Sequence, residues 1–379
     1  MAVGALIRSY AGRVAWRRLP WPLLAGALVL TGVGAAFVWS SASRGMALKH
    51  LVFAGAGCVA FCAFALFDYR HARGVTLLFY LLGLAALAGL WTRLGITVNY
   101  ARRWYDLGVF HAQPSEPMKL ILVLALADYF SDRRRWERMR DLVPPLLMTG
   151  LAMLLIVVQP DFGTALMLAP VFFGVAFLAG VPLRNLLAVV AAGCLLLVAA
   201  WFTPGVVKPY QRNRVIGFIN PAADPGSDAA YNAEQAMLAI CAGDLNGQGW
   251  GRGVLNRLGR VPERHTDFIF PVVAEEWGFA RTAPLIVLYL MLTVYMAHLA
   301  ARSEEPFGRL IVGGVCVLFA VQSFLHMAIS LRLAPITGLT LPLVSYGGSS
   351  LVTTYASFGL VASVRTHRSA VVFSGETPA

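Results

Sequence analysis

Carboxylates, arginines and a lysine are concentrated in four polar segments of an otherwise apolar chain. The most informative segment ends in His265, Thr266 and Asp267 and is soon followed by Glu275 and Glu276, where the chain becomes apolar. Acidic groups at a membrane boundary are costly unless they are paired or functional. Because arginines lie on the same predicted face, these residues could form a site for a lipid-linked anionic substrate.

The composition is that of a polytopic membrane protein. Of the 379 residues, 58% are hydrophobic and 13% are charged, whereas a soluble domain carries about 25% charged residues. The net charge of +12 does not indicate nucleic-acid binding, because the sequence contains neither a soluble basic domain nor a nucleic-acid-binding motif. Four of the five cysteines lie in apolar segments, which argues against a disulfide framework.

Ten apolar runs approach the length needed to cross a bilayer, which takes about 20 residues in a helix. The fold class that they predict is an all-α polytopic membrane protein with about ten transmembrane helices, in one domain over residues 1–379. The predicted spans are 20–40, 46–67, 75–92, 116–130, 142–158, 164–180, 186–203, 281–301, 309–331 and 350–366.

The arginine clusters of the short connections fall on one side of the membrane if there are ten spans and both termini lie on that side. Clusters precede the first span and follow the second and fourth spans, and basic residues favour the cytoplasmic side. The termini, 1–19 and 367–379, are therefore expected in the cytoplasm, and the long loop 204–280 between spans seven and eight is expected outside it. The segments 93–119, 159–164 and 333–350 then share the outer face with this loop.

Segment 93–119 carries cations that suit phosphate oxygens. Arg102 and Arg103 are adjacent, and Lys119 follows a helix-start signal, Ser115-Glu116-Pro117. Guanidinium groups pair with phosphates through two parallel hydrogen bonds, and lysine adds a point charge. The alternative is that the two arginines anchor the chain at the interface and that Lys119 extends its ammonium group towards the interface.

The turn Gln159–Gly163 places Asp161 between two predicted helices. Asp161 could cap the second helix by accepting hydrogen bonds from its first backbone N–H groups. It could instead be an active-site or metal-coordinating carboxylate. The sequence alone leaves both interpretations open.

The long loop contains a glycine-rich stretch, Gly243–Gly253, and a candidate amphipathic helix that starts near Tyr231. Glycines permit close backbone approach, although loop flexibility would explain them equally well. The stretch lacks the lysine and the strand–helix context of a phosphate-binding or dinucleotide-binding loop. If the chain is helical further on, Asp267, Pro271 and Glu275 would share one helix face.

Segment 333–350 is too broken for a helix and too apolar for a solvated loop. Such backbone is tolerated at membrane depth only against protein or a water-lined cavity. We therefore predict a re-entrant wall of a central site, to which Ser345 and Ser349 contribute hydroxyl groups.

Four sequence blocks, in this order, resemble the SEDS family (shape, elongation, division and sporulation) of bacterial cell-wall polymerases over about residues 20–366. They are Ala101–Trp104 with Gln113–Glu116, Gln159–Thr164, His265–Phe270 with Glu275–Glu276, and Pro342 with Ser345–Ser350. Asn220-Pro221 and Tyr231-Asn232 look more like the elongation branch, RodA, than the division branch, FtsW.

The chain also departs from the family pattern at a few positions. Asp244 and Arg332 stand where glycine is usual, His326 stands where asparagine is usual, and Pro271 replaces a small residue. These departures bear on local geometry rather than on the class of protein.

The resemblance implies a ten-span peptidoglycan glycosyltransferase of the bacterial inner membrane, with its active site on the extracytoplasmic face. Such an enzyme polymerises lipid II by inverting attack of a GlcNAc 4-hydroxyl on MurNAc C1, with undecaprenyl diphosphate as the leaving group. It would serve cell elongation and shape together with a class B penicillin-binding protein, which cross-links the peptides. Its other contacts would be membrane lipids, and no nucleic acid is expected as a partner.

The resemblance also implies roles for residues of this sequence. Asp267 is expected to be the general base that accepts the hydroxyl proton. The cations expected to stabilise the leaving diphosphate are Arg102, Arg103 and Lys119, with Arg212 and Arg214 in reserve. The other residues expected to contact substrate are Gln113, Glu116, Asp161, Thr164, His265, Thr266, Glu275, Ser345 and Ser349.

The need for a metal ion stays open at this stage. Glu116 and Asp161 could hold the cations in place or, with Asp267, help to bind a divalent ion such as Mg²⁺ or Mn²⁺. A lone aspartate base without an obligatory ion is equally compatible with the sequence.

Other functions fit parts of the pattern. A lipid-linked-oligosaccharide flippase would share the spans and the broken helices, but it should also carry charged residues at mid-membrane and an inner-facing vestibule. A non-enzymatic scaffold is compatible with the basic termini but does not explain so many polar residues on the outer face. A division-specific polymerase of the FtsW type is a third alternative.

Overall fold

The structure is a computed structural model that describes residues 18–98, 101–108, 110–132, 136, 138–203, 205, 207, 212, 216–218 and 228–367. It is predominantly helical, and each of the ten predicted apolar segments coincides with a helix. The helices are α1 (Trp21–Ser41), α2 (Arg44–Leu66), α3 (Thr76–Gly89), α4 (Ser115–Ser131), α5 (Val143–Val158), α6 (Phe162–Leu178), α7 (Leu183–Phe202), α8 (Asp228–Gly243), α9 (Val254–Arg257), α10 (Ile269–Ala301), α11 (Pro306–Ser330) and α12 (Gly348–Thr366).

The lengths and compositions of these helices fit a membrane protein. Within the described residues, six helical segments are long and apolar enough to cross a bilayer. The helices α3 and α6 are apolar but shorter. The prediction of an all-α polytopic membrane protein is therefore confirmed, whereas the number of spans stays a prediction.

The bundle is organised around α11, which is mostly buried and packs against α4, α6, α10 and α12. Helix α12 packs closely along α2. A Cβ atom at Gly359 would lie 2.5 Å from the carbonyl oxygen of Phe61, so only glycine permits this separation. Helix α7 lies at the periphery, where it packs against α6 and exposes most of its apolar side chains.

Segment 93–119 contains a small antiparallel sheet that the sequence analysis did not predict. Its strands are β1 (Gly95–Val98), β2 (Ala101–Asp106) and β3 (His111–Ala112), in the order β1-β2-β3. Tyr105 pairs with Gly95 on one side and with Ala112 on the other. The strands are short, and this polar segment lacks the repeated apolar alternation by which strands are recognised.

Part of the predicted loop 204–280 is folded into helices. Helix α8 includes the candidate helix that was predicted to start near Tyr231, and α10 begins at Ile269. Because α10 begins only there, Asp267 precedes the helix and does not share a helical face with Glu275, which was the conditional prediction. Pro271 lies in the first turn of α10, where proline removes no helical hydrogen bond.

The glycine-rich stretch packs against a break in α10. Gly278 has φ 71° and ψ 176°, which interrupts the helix. The backbone groups released there bond to the stretch, since Gln248 N donates to Glu275 O (3.0 Å) and Phe279 N donates to the carbonyl of Asp244 (2.8 Å). A Cβ atom at Gly243 would lie 2.0 Å from Ala274 O. Close backbone approach therefore explains Gly243 and Gly247, whereas Gly249 and Gly251 have positive φ without such contacts.

The chain between α11 and α12 is not helical and is largely buried, as predicted for segment 333–350. Leu341, Leu343 and Val344 are almost fully buried. A Cβ atom at Gly34 of α1 would lie 2.6 Å from Val344 O, so this chain crosses α1 at backbone contact. The connecting segment 333–347 therefore lies inside the bundle from Thr337 to Ser345, whereas Leu333 at its start is exposed.

Candidate active site

Asp267 lies in the turn that leads into α10, and this turn is fastened to the connecting segment 333–347. Ser345 Oγ donates to Thr266 O (2.6 Å), and Tyr346 N donates to His265 O (2.9 Å). These bonds hold the backbone on the N-terminal side of Asp267. They therefore fix the point of the backbone from which the Asp267 side chain extends.

The carboxylate of Asp267 lies against Gly338 of the connecting segment. A Cβ atom at Gly338 would lie 3.3 Å from Asp267 Oδ2, and Gly338 also has a positive φ of 72°. The positive φ favours glycine at this position, and a Cβ atom there would also press on the Asp267 carboxylate. Asp267 itself is neither fully buried nor fully exposed.

His265 and Thr266 have different surroundings from each other. The ring of His265 lies 6.0 Å from the ring of Tyr346, and burial lowers the pKa of His265, helped by the charge of Arg264 and opposed by that of Glu263. The hydroxyl of Thr266 donates to Glu263 Oε2 (3.1 Å). The backbone carbonyls of His265 and Thr266, rather than their side chains, bond to the connecting segment.

Lys119 is almost fully buried near the start of α4 and is tied to the same segment. Its Nζ lies 2.9 Å from both carboxylate oxygens of Glu116 and donates to Gln322 Oε1, also at 2.9 Å. The amide nitrogen of Gln322 donates in turn to Thr340 O (3.0 Å). A continuous set of contacts therefore leads from the ammonium group to the segment that carries Gly338 and contacts Asp267.

Asp161 joins three parts of the chain. Its Oδ2 accepts hydrogen bonds from Gln113 Nε2 (2.9 Å) and Ser115 Oγ (3.0 Å). Its Oδ1 accepts from the backbone N–H of Thr164 (3.4 Å), which makes Asp161 the N-cap of α6, and lies 3.7 Å from Arg103 Nη1. Asp161 therefore caps a helix and also holds a cation.

Arg102 and Arg103 point in different directions, because successive residues of a strand face opposite sides of the sheet. Arg103 reaches the Asp161 turn, where its Nη2 donates to Pro160 O (2.8 Å). Arg102 instead donates through Nε to Gly95 O (3.1 Å) in its own hairpin. The structure brings Arg103 to Asp161 but directs Arg102 elsewhere.

The two serines predicted in this region both make bridging contacts. Ser349 Oγ, at the start of α12, accepts from Gln113 N (3.0 Å). Ser345 Oγ accepts from Leu341 N (2.8 Å) in addition to its bond to Thr266. Ser349 thus connects Gln113, a partner of Asp161, to the start of α12. Ser345 connects the turn that carries Asp267 to the connecting segment.

Two predicted site residues lie away from these contacts. Arg212 lies against the C-terminal end of α7, where its Nη2 donates to Trp201 O (2.6 Å) and its guanidinium lies 5.4 Å from the ring of Trp201. The carboxylate of Glu275 accepts from the backbone N–H groups of Leu255 (2.7 Å) and Asn256 (3.1 Å). Arg214 lies outside the described residues.

Sequence reasoning missed Gln322, which connects Lys119 to the connecting segment. The available signal was a lone glutamine in the apolar stretch of α11, since a buried amide needs partners to satisfy its hydrogen-bonding groups. Among the described residues, no three histidine, cysteine, aspartate or glutamate side chains form a group suited to a metal ion. Glu116 in particular fits a divalent ion poorly, because both of its oxygens face the Lys119 ammonium group.

Together, the apolar helices and the polar contacts at one end of the bundle define a polytopic membrane protein with a candidate acid–base site beside a non-helical wall. The family model described as cell cycle protein, which covers FtsW, RodA and SpoVE, matches residues 21–370. The chain belongs to this FtsW/RodA/SpoVE family, the SEDS family of multi-pass bacterial membrane proteins.

Similar proteins and structures share nearly the whole chain. Peptidoglycan glycosyltransferase MrdB of Escherichia coli is 34% identical over 351 residues, which cover 90% of this chain and 92% of that protein. Probable peptidoglycan glycosyltransferase FtsW of Marinobacter nauticus is 35% identical, with coverages of 97% and 94%.

Among solved structures, the chain matches a component of a peptidoglycan synthase complex with a TM-score of 0.81 at 33% identity. That structure concerns the structural coordination of polymerization and crosslinking by the complex. It covers 93% of this chain and 99% of that chain. The crystal structure of RodA from Thermus thermophilus matches with a TM-score of 0.70 at 30% identity. The match covers 93% of this chain and 98% of that chain.

Proposed function

We propose that this protein is a peptidoglycan glycosyltransferase that polymerises lipid II into glycan strands during cell elongation. The observation that carries the proposal is that Asp267 and the buried Lys119 are both attached to the connecting segment 333–347. A polymerase needs a base at the attacking hydroxyl and positive charge near the leaving diphosphate. The names of MrdB and FtsW, with which the chain shares about a third of its residues, support the same reaction.

In the proposed reaction, the 4-hydroxyl of one GlcNAc attacks C1 of the MurNAc of a second molecule, and Asp267 accepts the hydroxyl proton. A bond forms between the acceptor oxygen and C1, while the bond between C1 and the diphosphate oxygen breaks. Undecaprenyl diphosphate leaves with that electron pair. The attack inverts C1 and requires no covalent bond to the protein.

The cations have different proposed roles because they differ in exposure. Lys119 is 2% exposed and paired with Glu116, so its charge is largely offset, and it acts as the positive end of a fixed dipole rather than by direct contact. The side chain of Arg103 is 22% exposed, and its guanidinium is the better candidate for direct contact with diphosphate oxygens. Preorganised charge of this kind lowers the transition-state energy without reorganisation during the reaction.

The proposed location is the bacterial cytoplasmic membrane, with both termini in the cytoplasm and the Asp267 site on the extracytoplasmic face. The support is the distribution of basic residues, which favour the cytoplasmic side. Arg70 and Arg73 follow α2, Arg302 follows α10, and Arg309 lies near the start of α11. The proposed partner is a class B penicillin-binding protein. Similarity to a component of a peptidoglycan synthase complex supports this partner.

The direct test is polymerisation of purified lipid II by the full chain in detergent, with and without the partner, comparing Asp267→Asn with wild type. We expect Asp267→Asn to reduce the rate about 10²–10⁴-fold, because general-base catalysis contributes that much. Glu263→Gln is a matched control, since it removes a carboxylate from the same turn but keeps an oxygen for Thr266. Substantial polymer formation by Asp267→Asn would refute the assignment of the base.

The flippase alternative is distinguished in the same preparation. Fluorescent lipid II in sealed vesicles reports movement between leaflets, whereas gel analysis reports chain growth. Movement without chain growth would favour a flippase. Chain growth that stops in Asp267→Asn would favour the polymerase over both the flippase and the scaffold.

A further inference from the structure

A cavity of about 560 Å³ lies at the end of the bundle remote from Asp267. Helix α12 starts beside the connecting segment and is about 28 Å long at 1.5 Å per residue. Arg365, near the far end of this helix, lines the cavity. The C-terminal end of α10 lines it too, through His298 and Leu299. This cavity therefore has no residue in common with the candidate active site.

Three arginines, Arg70, Arg302 and Arg365, line the cavity together with two carboxylates, Glu304 and Glu305, and Arg70 forms an ion pair with Glu305. Arg70 Nε lies 3.2 Å from Glu305 Oε2. Glu305 also accepts the hydroxyl of Tyr69, and burial together with this carboxylate raises the pKa of Tyr69 to about 12. Glu305 is therefore already engaged by two donors.

The other two guanidinium groups carry one more positive charge than the remaining lining carboxylate, Glu304, offsets. Within the described residues, no ion pair joins Arg302 or Arg365 to a carboxylate. Arg365 donates to the hydroxyl of Tyr295 and lies 5.9 Å from the centre of its ring. A hydroxyl and an aromatic face orient a guanidinium group without removing its charge.

The inner wall of the cavity is apolar. Leu299 of α10, Val312 of α11, and Val361 and Val364 of α12 contribute to its lining. A small inorganic anion would leave this wall uncovered by the ligand. A phosphate ester with an attached apolar portion would satisfy both the arginines and the wall, because burial of apolar surface adds to binding.

We propose that this cavity binds the phosphate headgroup of an anionic membrane phospholipid through Arg302 and Arg365. Guanidinium groups suit phosphate oxygens, and basic pockets between membrane helices take anionic headgroups on the cytoplasmic side. In the proposed orientation of the chain, the cavity faces the cytoplasmic leaflet. The lipid site does not depend on the proposed polymerase activity, because its residues and its test are separate from Asp267.

The test is native mass spectrometry of the full chain in a zwitterionic detergent, titrated with dioctanoyl phosphatidylglycerol or dioctanoyl phosphatidylcholine. We expect the chain to bind the anionic lipid more tightly. Arg302→Gln should weaken phosphatidylglycerol binding about tenfold, because a hydrogen bond to a charged group is lost. The binding of phosphatidylcholine should not change with this substitution.

Arg281→Gln is the matched control, because Arg281 is an exposed arginine on the same helix, far from the cavity. It should bind phosphatidylglycerol as the wild type does. Equal affinity of Arg302→Gln and wild type would overturn the proposal, as would an equal loss in Arg281→Gln. Complete displacement of the lipid by equimolar glycerol 3-phosphate would instead assign the cavity to a soluble phosphate ester.

Discussion

Two pairs of buried carboxylates differ in whether a cation is among their partners. Glu116 and Asp161 contact cations, Lys119 and Arg103 respectively. Glu275 and Glu276 instead accept hydrogen bonds from backbone N–H groups, with Glu276 Oε2 bound to Gly251 N at 2.9 Å and Glu275 bound to the start of α9. We call the first pair the cation-holding carboxylates and the second pair the amide-holding carboxylates.

This difference indicates what each pair does. A carboxylate that holds a cation fixes the position and charge of a group that acts on an anionic substrate. A carboxylate that holds backbone amides fixes the path of the chain. Substitution in the cation-holding pair should therefore alter catalysis beyond any effect on folding, whereas substitution in the amide-holding pair should alter folding alone.

Lys119→Met is expected to have the largest effect. It leaves the Glu116 carboxylate, which is 6% exposed, without its cation, and breaking a buried ion pair costs about 3–5 kcal/mol. Thermal unfolding of the full chain in detergent micelles measures this loss. The double variant Glu116→Gln/Lys119→Met should regain most of the stability, because no buried charge remains, yet should polymerise lipid II poorly. Wild-type polymerisation by the double variant would contradict the electrostatic role of Lys119.

Glu276→Gln tests the amide-holding pair. Glu276 accepts hydrogen bonds from Asn256 Nδ2 (2.8 Å), from Gly251 N and from Ser40 Oγ, and glutamine can replace only part of this acceptor capacity. We expect the free energy of unfolding to fall by about 1–3 kcal/mol. Polymerisation per folded molecule should stay at the wild-type level. A lower specific activity in the correctly folded fraction would show that the two pairs do not differ in the way we infer.

The sequence was most informative about local features. Apolar runs located the helices, Ser115-Glu116-Pro117 located the start of α4, and the composition of segment 333–350 indicated its non-helical, buried character. In each case the determining residues are neighbours in the chain, so propensity and periodicity apply.

The sequence was least informative about which polar groups meet. Lys119 and Gln322 are 203 positions apart, and nothing in either neighbourhood identifies the other. Adjacency was also misleading for Arg102 and Arg103, because the strand that separates their directions was not predicted. Such contacts depend on how helices pack, which one sequence does not determine by pattern alone.

The adjacent arginines provide a matched pair of substitutions. Arg103→Gln removes the cation beside Asp161 and should reduce polymerisation about tenfold, equivalent to about 1.4 kcal/mol of transition-state stabilisation. Arg102→Gln makes the same charge change one residue away, where the side chain bonds to Gly95 O, and should retain nearly the full rate. Initial rates at saturating and limiting lipid II measure both. Equal losses would indicate that the arginines act only through the net charge of the surface.

The smallest expected effect concerns two residues with left-handed backbone in different parts of the molecule. Arg332, before the connecting segment, has φ 56°, and Asp244, beside the break in α10, has φ 46°. Non-glycine residues are strained in this region, although aspartate tolerates it better than most. Arg332→Gly should therefore raise the free energy of unfolding by about 1 kcal/mol, and Asp244→Gly by less.

Thermal unfolding measures both substitutions, and Arg309→Gly is the control for arginine loss. Arg309 lies in α11, where glycine should lower stability by roughly 0.5–1 kcal/mol because it weakens a helix. Opposite signs for Arg332→Gly and Arg309→Gly would show that backbone conformation, not charge, sets the result. If Arg332→Gly also lowered lipid II polymerisation and Asp244→Gly did not, the strained residue would be part of what positions the connecting segment against Asp267.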